Sequence, residues 1–170
     1  MRGIAIPEGM TTRPFNFLEA PDLNRLKQAV ADYFKVGIQH VCLYTNTVDV
    51  DPPFERQKAG RQWAEFEASE VRVYFNDSDR GRGPVCAWCS VQTRNHAENN
   101  FEDRPLARTM AAVLNQTILF RDPIPDPRDH PIVEAAQIAV TPDGEEVEMW
   151  FVEYGEEGES KNDLFRRDEL

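Results

Sequence analysis

Between Pro21 and Gly37 the apolar residues Leu23, Leu26, Val30, Tyr33 and Phe34 return at intervals of three and four. That spacing predicts an amphipathic helix, with proline acceptable at its start and glycine just past its end. A short apolar run, IQHVCLYT over 38–45, has strand character, and the following NTVDVDPPFERQKAG reads as a loop because Pro52 and Pro53 cannot donate to a ladder. Val71, Val73 and Phe75 then alternate strictly, DSDRGRG supplies turn residues, and 85–94 alternates again, so the two runs form a β-hairpin with a charged tip. Leu106, Met110, Val113, Leu114 and Thr117 line one face of a second helix written across 101–120, with Pro105 tolerated in its first turn. RDPIPDPRDHP is too rich in proline for anything but an extended loop. The runs on either side of Pro142, Asp143 and Gly144 make a second hairpin that ends in Trp150, Phe151 and Val152.

The order helix, strand, loop, strand, strand, helix, loop, strand, strand predicts an α+β fold. It is a single mostly antiparallel sheet with two helices packed on one face, formed by residues 21–154. Residues 1–20 lack any sustained period and are expected to be an extended N-terminal arm packing through Phe15, Phe17 and Leu18. Residues 155–170 are expected to be a loose acidic C-terminal tail in which Leu164 and Phe165 could dock. The expected core joins Leu23, Leu26, Val30, Met110 and Leu114 to Val71, Val73, Val91, Ile138 and Val140.

Composition adds bounds. A chain of 170 residues can bury about two-thirds of its unfolded surface and needs no metal or disulfide to fold. The three cysteines are read as free thiols of a reducing compartment. No run approaches the length of a signal core or a membrane span, so the expected location is a cytoplasm, where the terminal RDEL has no meaning as an address. A net charge of −11 disfavours ordinary nucleic-acid binding. It suits a partner with a basic face, a mimic of DNA, or a pore through which DNA slides.

The stretch PVCAWCSVQTRNHAENN holds the residue types of a zinc deaminase, but in the wrong order. That chemistry needs H-x-E before P-C-x-x-C, and here Cys86 and Cys89 come first and the pair His96 and Glu98 second, with Val85 intruding between Pro84 and Cys86. Strand alternation would also send Cys86 and Cys89 to opposite faces. A structural zinc site recruiting His40 and Cys42 would need a knuckle at C-x-x-C that no glycine or asparagine provides. A nuclease pairing of Asp143 with Glu159 and Lys161 would join a hairpin turn to a polar tail. His130, before Pro131, reads as a solvated or capping residue, and neither a phosphate-cradling glycine loop nor a nucleophile elbow is present. No catalytic residue, cofactor or metal is therefore expected.

In element order the chain resembles the tail terminator, or tail-completion, proteins of long-tailed phages. The likeness starts at LNRLKQAVADYF and passes through the proline-containing VDVDPPF, the strand VRVYF and the helix RPLARTMAAVL. It closes on MWFVEYG, covering roughly residues 21–154. The resemblance implies a non-catalytic virion protein assembled in the host cytoplasm. It would form a hexameric ring of identical subunits that caps the tail tube, contacts other tail or connector proteins, and lets DNA pass without sequence-specific binding. The charge is compatible, because an acidic lumen avoids counterion-release binding to DNA. Contacts are expected at the hairpin tip through Arg80 and Arg82, at Phe15 and Phe17 of the arm, and at Leu164 and Phe165 of the tail. The alternative is an acidic cytoplasmic inhibitor, a DNA mimic or immunity-type protein, that blocks a nucleic-acid-binding protein.

Overall fold

The computed structural model describes residues 9–10, 14–46, 64–77, 84–93, 103–121, 133–154 and 161–166. Helix α1, Leu23–Phe34, begins where the Asp22 carboxylate accepts the Arg25 amide at 3.0 Å, an N-cap that satisfies one of the first-turn donors. It buries Leu26, Ala29, Val30, Ala31 and Phe34, while Leu23 and Tyr33 of the predicted stripe are half-buried against the core. Its end differs from expectation. Lys35, not Gly37, adopts the left-handed conformation (φ 55°), and the Val36 amide donates back to the Ala31 carbonyl at 3.0 Å. This is a Schellman cap formed without glycine.

After a turn of 3-10 helix at Ile38–His40 come β3, Val41–Asn46, and β4, Val71–Asn76, which pair in parallel. Neighbouring parallel strands need a connection that returns to the starting end of the sheet, and that connection carries a helix, α2, over 64–68. The charged stretch hides this helix from a periodicity reading. Strand β5, Ala87–Thr93, lies antiparallel to β4 as the hairpin reading requires.

Helix α3, Asp103–Leu114, holds Pro105 in its first turn and buries Leu106, Ala107, Met110, Ala111 and Leu114. The expected continuation to residue 120 is corrected. Asn115 takes the left-handed conformation (φ 53°), and the Gln116 amide donates to the Ala111 carbonyl at 3.3 Å. The same Schellman geometry thus ends the helix at a residue that tolerates positive φ. Thr117 therefore lies outside the helix, and Ile118–Arg121 becomes strand β6.

Strands β7, Val133–Val140, and β8, Glu146–Tyr154, form the second predicted hairpin. Its turn follows from local chemistry. The Gly144 amide donates to the Thr141 carbonyl at 2.9 Å, Gly144 accepts φ 86°, and the Thr141 amide donates to the Glu145 carbonyl at 2.9 Å. The Thr141 hydroxyl donates to the Asp143 carboxylate, which holds that exposed carboxyl below its ordinary value.

Two further corrections concern the ends of the chain. Within the segment expected to be an arm, Gly9–Met10 forms β1 and Phe15–Phe17 forms β2, both along β5, and β2 also pairs with β6, so these residues belong to the sheet. The segment expected to be a loose tail contains β9, Lys161–Arg166, antiparallel to β8.

The result is an α+β protein with one mixed sheet in the order β3-β4-β5-β2-β6-β7-β8-β9, in which β3 and β4 supply the parallel pair. Helices α1 and α3 pack on each other and on one face of the sheet, as expected. Their buried side chains meet Phe15, Phe17, Val71, Val73, Phe75, Cys89, Val91, Ile118, Ile138 and Val140. All ten expected core residues lie in this cluster or, for Leu23, half-buried against it. The expectation of two helices is incomplete, because α2 lies over the other face. Phe66 is buried against Tyr44, ring centroids 5.8 Å apart, and Tyr44 alternates with the inward-facing Val41 and Leu43.

Candidate interaction surface

The face of the sheet opposite α1 and α3 carries a different chemistry from the core. Register places Tyr44 of β3 beside Tyr74 of β4, and their rings stack at 5.8 Å with 21° between planes. Tyr74 continues to Trp88 of β5 at 5.6 Å. With Phe66 this gives a row of four aromatic rings across three strands, covered at its β3 end by α2. Cross-strand aromatic contacts of this kind stabilise a sheet face by a few tenths to about 1 kcal/mol each. Beyond Trp88 the same face carries Asn16 of β2, then the buried Leu119 of β6 and Ala139 of β7. Asn16 of β2 reaches over β6 to donate from Nδ2 to Gln137 Oε1 of β7 at 3.1 Å.

Helix α2 is held from two sides. Phe66 points into the aromatic row, and the Arg72 side chain donates from Nε to the Ser69 carbonyl at 3.1 Å just past the helix. Glu65 and Glu67, on either side of Phe66, turn outward and are exposed. Glu70 follows, with Oε2 3.7 Å from His40 Nδ1. Glu65, Glu67 and Glu70 therefore give α2 and the turn into β4 an acidic character. At the far side of the inner face, Arg108 Nη2 meets Glu146 Oε1 at 2.9 Å and Arg104 Nε lies 3.4 Å from the same oxygen, tying α3 to the β7–β8 hairpin. These surface pairs contribute at most about 1 kcal/mol each.

Cys89, in mid-strand on the inner face, is fully buried, and burial pushes its thiol well above the ordinary 9.0. Cys86 precedes β5, half-buried against the same core, and its amide donates to the Phe17 carbonyl at 2.9 Å. Cys42 is half-buried in β3. The thiols should accordingly react in two classes. A thiol reagent at neutral pH is expected to label Cys42 and Cys86 in the native protein, and Cys89 only on unfolding. Labelling of all three at one rate would contradict the burial of Cys89. The raised thiol also sets a sign. The unfolded chain loses this proton above about pH 9 while the folded chain keeps it, so Cys89 makes stability fall as pH rises past that point.

Among the described residues, no three His, Cys, Asp or Glu side chains come together in a way that could hold a metal ion. A shallow cleft of about 260 Å³ is lined by Leu18, Glu19, Asn115, Gln116, Thr117 and Pro142, with Glu19 the titratable group among these described residues. Among the described residues, no helix is long and apolar enough to cross a membrane.

The structure distributes the expected contact residues unevenly. Phe15 and Phe17 are wholly buried in the middle of the sheet, which removes them from any surface and corrects their assignment as contacts. Leu164 and Phe165 lie in β9, in register with Phe151 and Trp150 of β8. Arg80 and Arg82 fall outside the described residues, as do His96, Glu98, His130 and Glu159. Of the nuclease-type set, Asp143 lies in the hairpin turn and Lys161 opens β9. The residues missed from sequence are Glu65 and Glu67 of α2 with the Tyr44 ring that this helix covers. Their one signal was Phe66, a lone aromatic among acidic residues.

Comparisons of the chain with protein families, with curated proteins and with solved structures find no match.

Proposed function

We propose that this chain is a non-catalytic structural protein that works by assembling into a ring, of the tail terminator or neck type that closes a phage tail tube and joins it to the head. The observation that carries the reading is the open sheet. Among the described residues its strand order ends in β3 on one side and β9 on the other, each six residues long. A surface with different ends makes head-to-tail contacts, which close into rings when the rotation between copies permits. The net charge of −11 adds support, since a ring of such subunits would repel DNA passing through it. The order of elements along the chain is the further likeness.

The test is the mass in solution by light scattering or native mass spectrometry over a concentration series. The expected result is a closed species near six times the 19.5 kDa chain, falling apart on dilution into smaller assemblies. A single 19.5 kDa species at every concentration would overturn the ring reading and turn attention to an acidic inhibitor that acts as a monomer.

A further inference from the structure

We infer that the aromatic row on the face opposite α1 and α3, together with the glutamates of α2, docks an arginine-bearing basic segment of another protein. Its guanidinium groups stack on the rings and pair with the carboxylates. The inference goes beyond the ring reading and holds for a ring or a monomer alike.

Tyr44, Tyr74 and Trp88 are each half-buried and keep part of their surface in solvent. Mutual contact holds them in place, with Tyr44 5.8 Å from both Phe66 and Tyr74, and Tyr74 5.6 Å from Trp88. Side chains fixed in this way have little rotamer freedom left to lose on binding. Being half-buried, they also have little apolar area left to cover, so a purely apolar partner gains little here. What remains is the π density of the rings, strongest for tryptophan, and the Tyr74 hydroxyl as an acceptor. That is a surface for a cation.

The helix that covers the row also brings charge to it. Phe66 is the residue of α2 that turns inward, 2% exposed, and its ring meets Tyr44. Glu65 and Glu67 stand about 100° to either side of it around the helix. Both are exposed, so two carboxylates flank the Phe66–Tyr44 contact. On the same face, the charged residue among the described side chains of β3, β4 and β5 is Arg72, which is buried and donates from Nε to the Ser69 carbonyl. A partner cannot reach that buried guanidinium, whereas it can reach both carboxylates.

Arginine fits this combination better than lysine does. The planar guanidinium stacks on an aromatic ring and donates in pairs to a carboxylate, while the compact ammonium holds its hydration more tightly. A chain of net charge −11 draws in a basic partner and repels a phosphate backbone, so the occupant is a protein segment and not a nucleic acid.

The experiment titrates the full chain with short synthetic peptides of equal length: alternating Arg-Gly, alternating Lys-Gly, and an uncharged proline-rich sequence. Calorimetry on the parent gives the affinity, and the emission of Trp88 locates the binding in a protein that carries Trp63→Phe and Trp150→Phe. The Arg-Gly peptide is expected to bind more tightly than the Lys-Gly peptide, to shift the Trp88 emission and to weaken as salt rises. Glu65→Gln with Glu67→Gln, both at exposed positions, should weaken it about fivefold to tenfold. Trp88→Leu should weaken it by a similar factor. Circular dichroism and melting check that Trp88→Leu folds, and Tyr74→Leu serves if it does not. Equal binding of the Arg-Gly and Lys-Gly peptides, indifferent to loss of the ring, would mean general attraction to an acidic chain and would overturn the docking site. Binding of the proline-rich peptide alone would make the row an apolar groove and overturn it as well, as would binding of no peptide at all. These outcomes leave the ring reading untouched, because the mass in solution decides that.

Discussion

Phe17→Ala is expected to destabilise the protein by about 3–5 kcal/mol, and deletion of residues 1–20 to leave a chain that does not fold. Both effects come from the position of β2. Its three residues lie between β5 and β6, so they join the group β3-β4-β5 to the group β6-β7-β8-β9. The Phe17 side chain is fully buried in the core, 6.0 Å from the Phe75 ring, and its carbonyl accepts the Cys86 amide. Truncation to alanine loses the transfer energy of the ring and opens a cavity beneath the joint of the two groups. Small domains have about 5–15 kcal/mol in total, so a loss of this size approaches the stability of the whole molecule. Deleting the segment goes further, because it leaves facing strand edges of β5 and β6 unpaired in the centre of a sheet. Urea denaturation of the substituted protein and circular dichroism of the deletion measure the two effects. An unchanged denaturation midpoint for Phe17→Ala would mean that the segment is peripheral, as an arm would be.

The same segment shows why part of the fold could be read from sequence and part could not. Where an element is long enough to repeat its own period, the pattern of residues is sufficient. Val71, Val73 and Phe75 alternate over a whole strand, and Leu26, Val30 and Phe34 mark one side of a helix, so the β4–β5 hairpin and the α1 face follow directly. The Asp-Gly turn of the second hairpin has its mechanism in the residues themselves. β2 is different. Three residues beside Pro14 cannot display a period, and what makes Phe15 and Phe17 a strand is the pair of neighbours that the rest of the chain brings to either side of them. α2 has a single buried residue, Phe66, among glutamates and alanines, and an aromatic ring on β3 holds it in place. For α3 the error lay at the boundary. Apolar residues continue through Ile118 and Leu119, and only the capacity of Asn115 for positive φ separates the helical run from the strand that follows. The aromatic row had its members in plain sight, but Tyr44, Tyr74 and Trp88 become neighbours only through the parallel register of β3 with β4 and the antiparallel register of β4 with β5.

Leu26→Ala should cost about 2–5 kcal/mol and Leu114→Ala should cost less, although both remove the same atoms from the same helix pair. Leu26 lies in the middle of the α1 stripe and is wholly buried, among the largest side chains of the core to be so. Leu114 occupies the last position of α3 and retains 7% exposure. Its neighbour Asn115 is the left-handed cap, so the local backbone there already departs from the helix. A cavity at the centre of a packed layer cannot collapse without moving helix against sheet, whereas one at a helix end can relax or admit water, and the spread of measured costs follows that difference. Chemical denaturation of the two variants side by side tests the ranking, with equal slopes showing that both still unfold in one step. The reverse order would place the rigid part of the α1–α3 layer at the end of α3, next to β6. In that case the joint through β2, and not the helix pair above it, would be where most of the stability of this fold is concentrated.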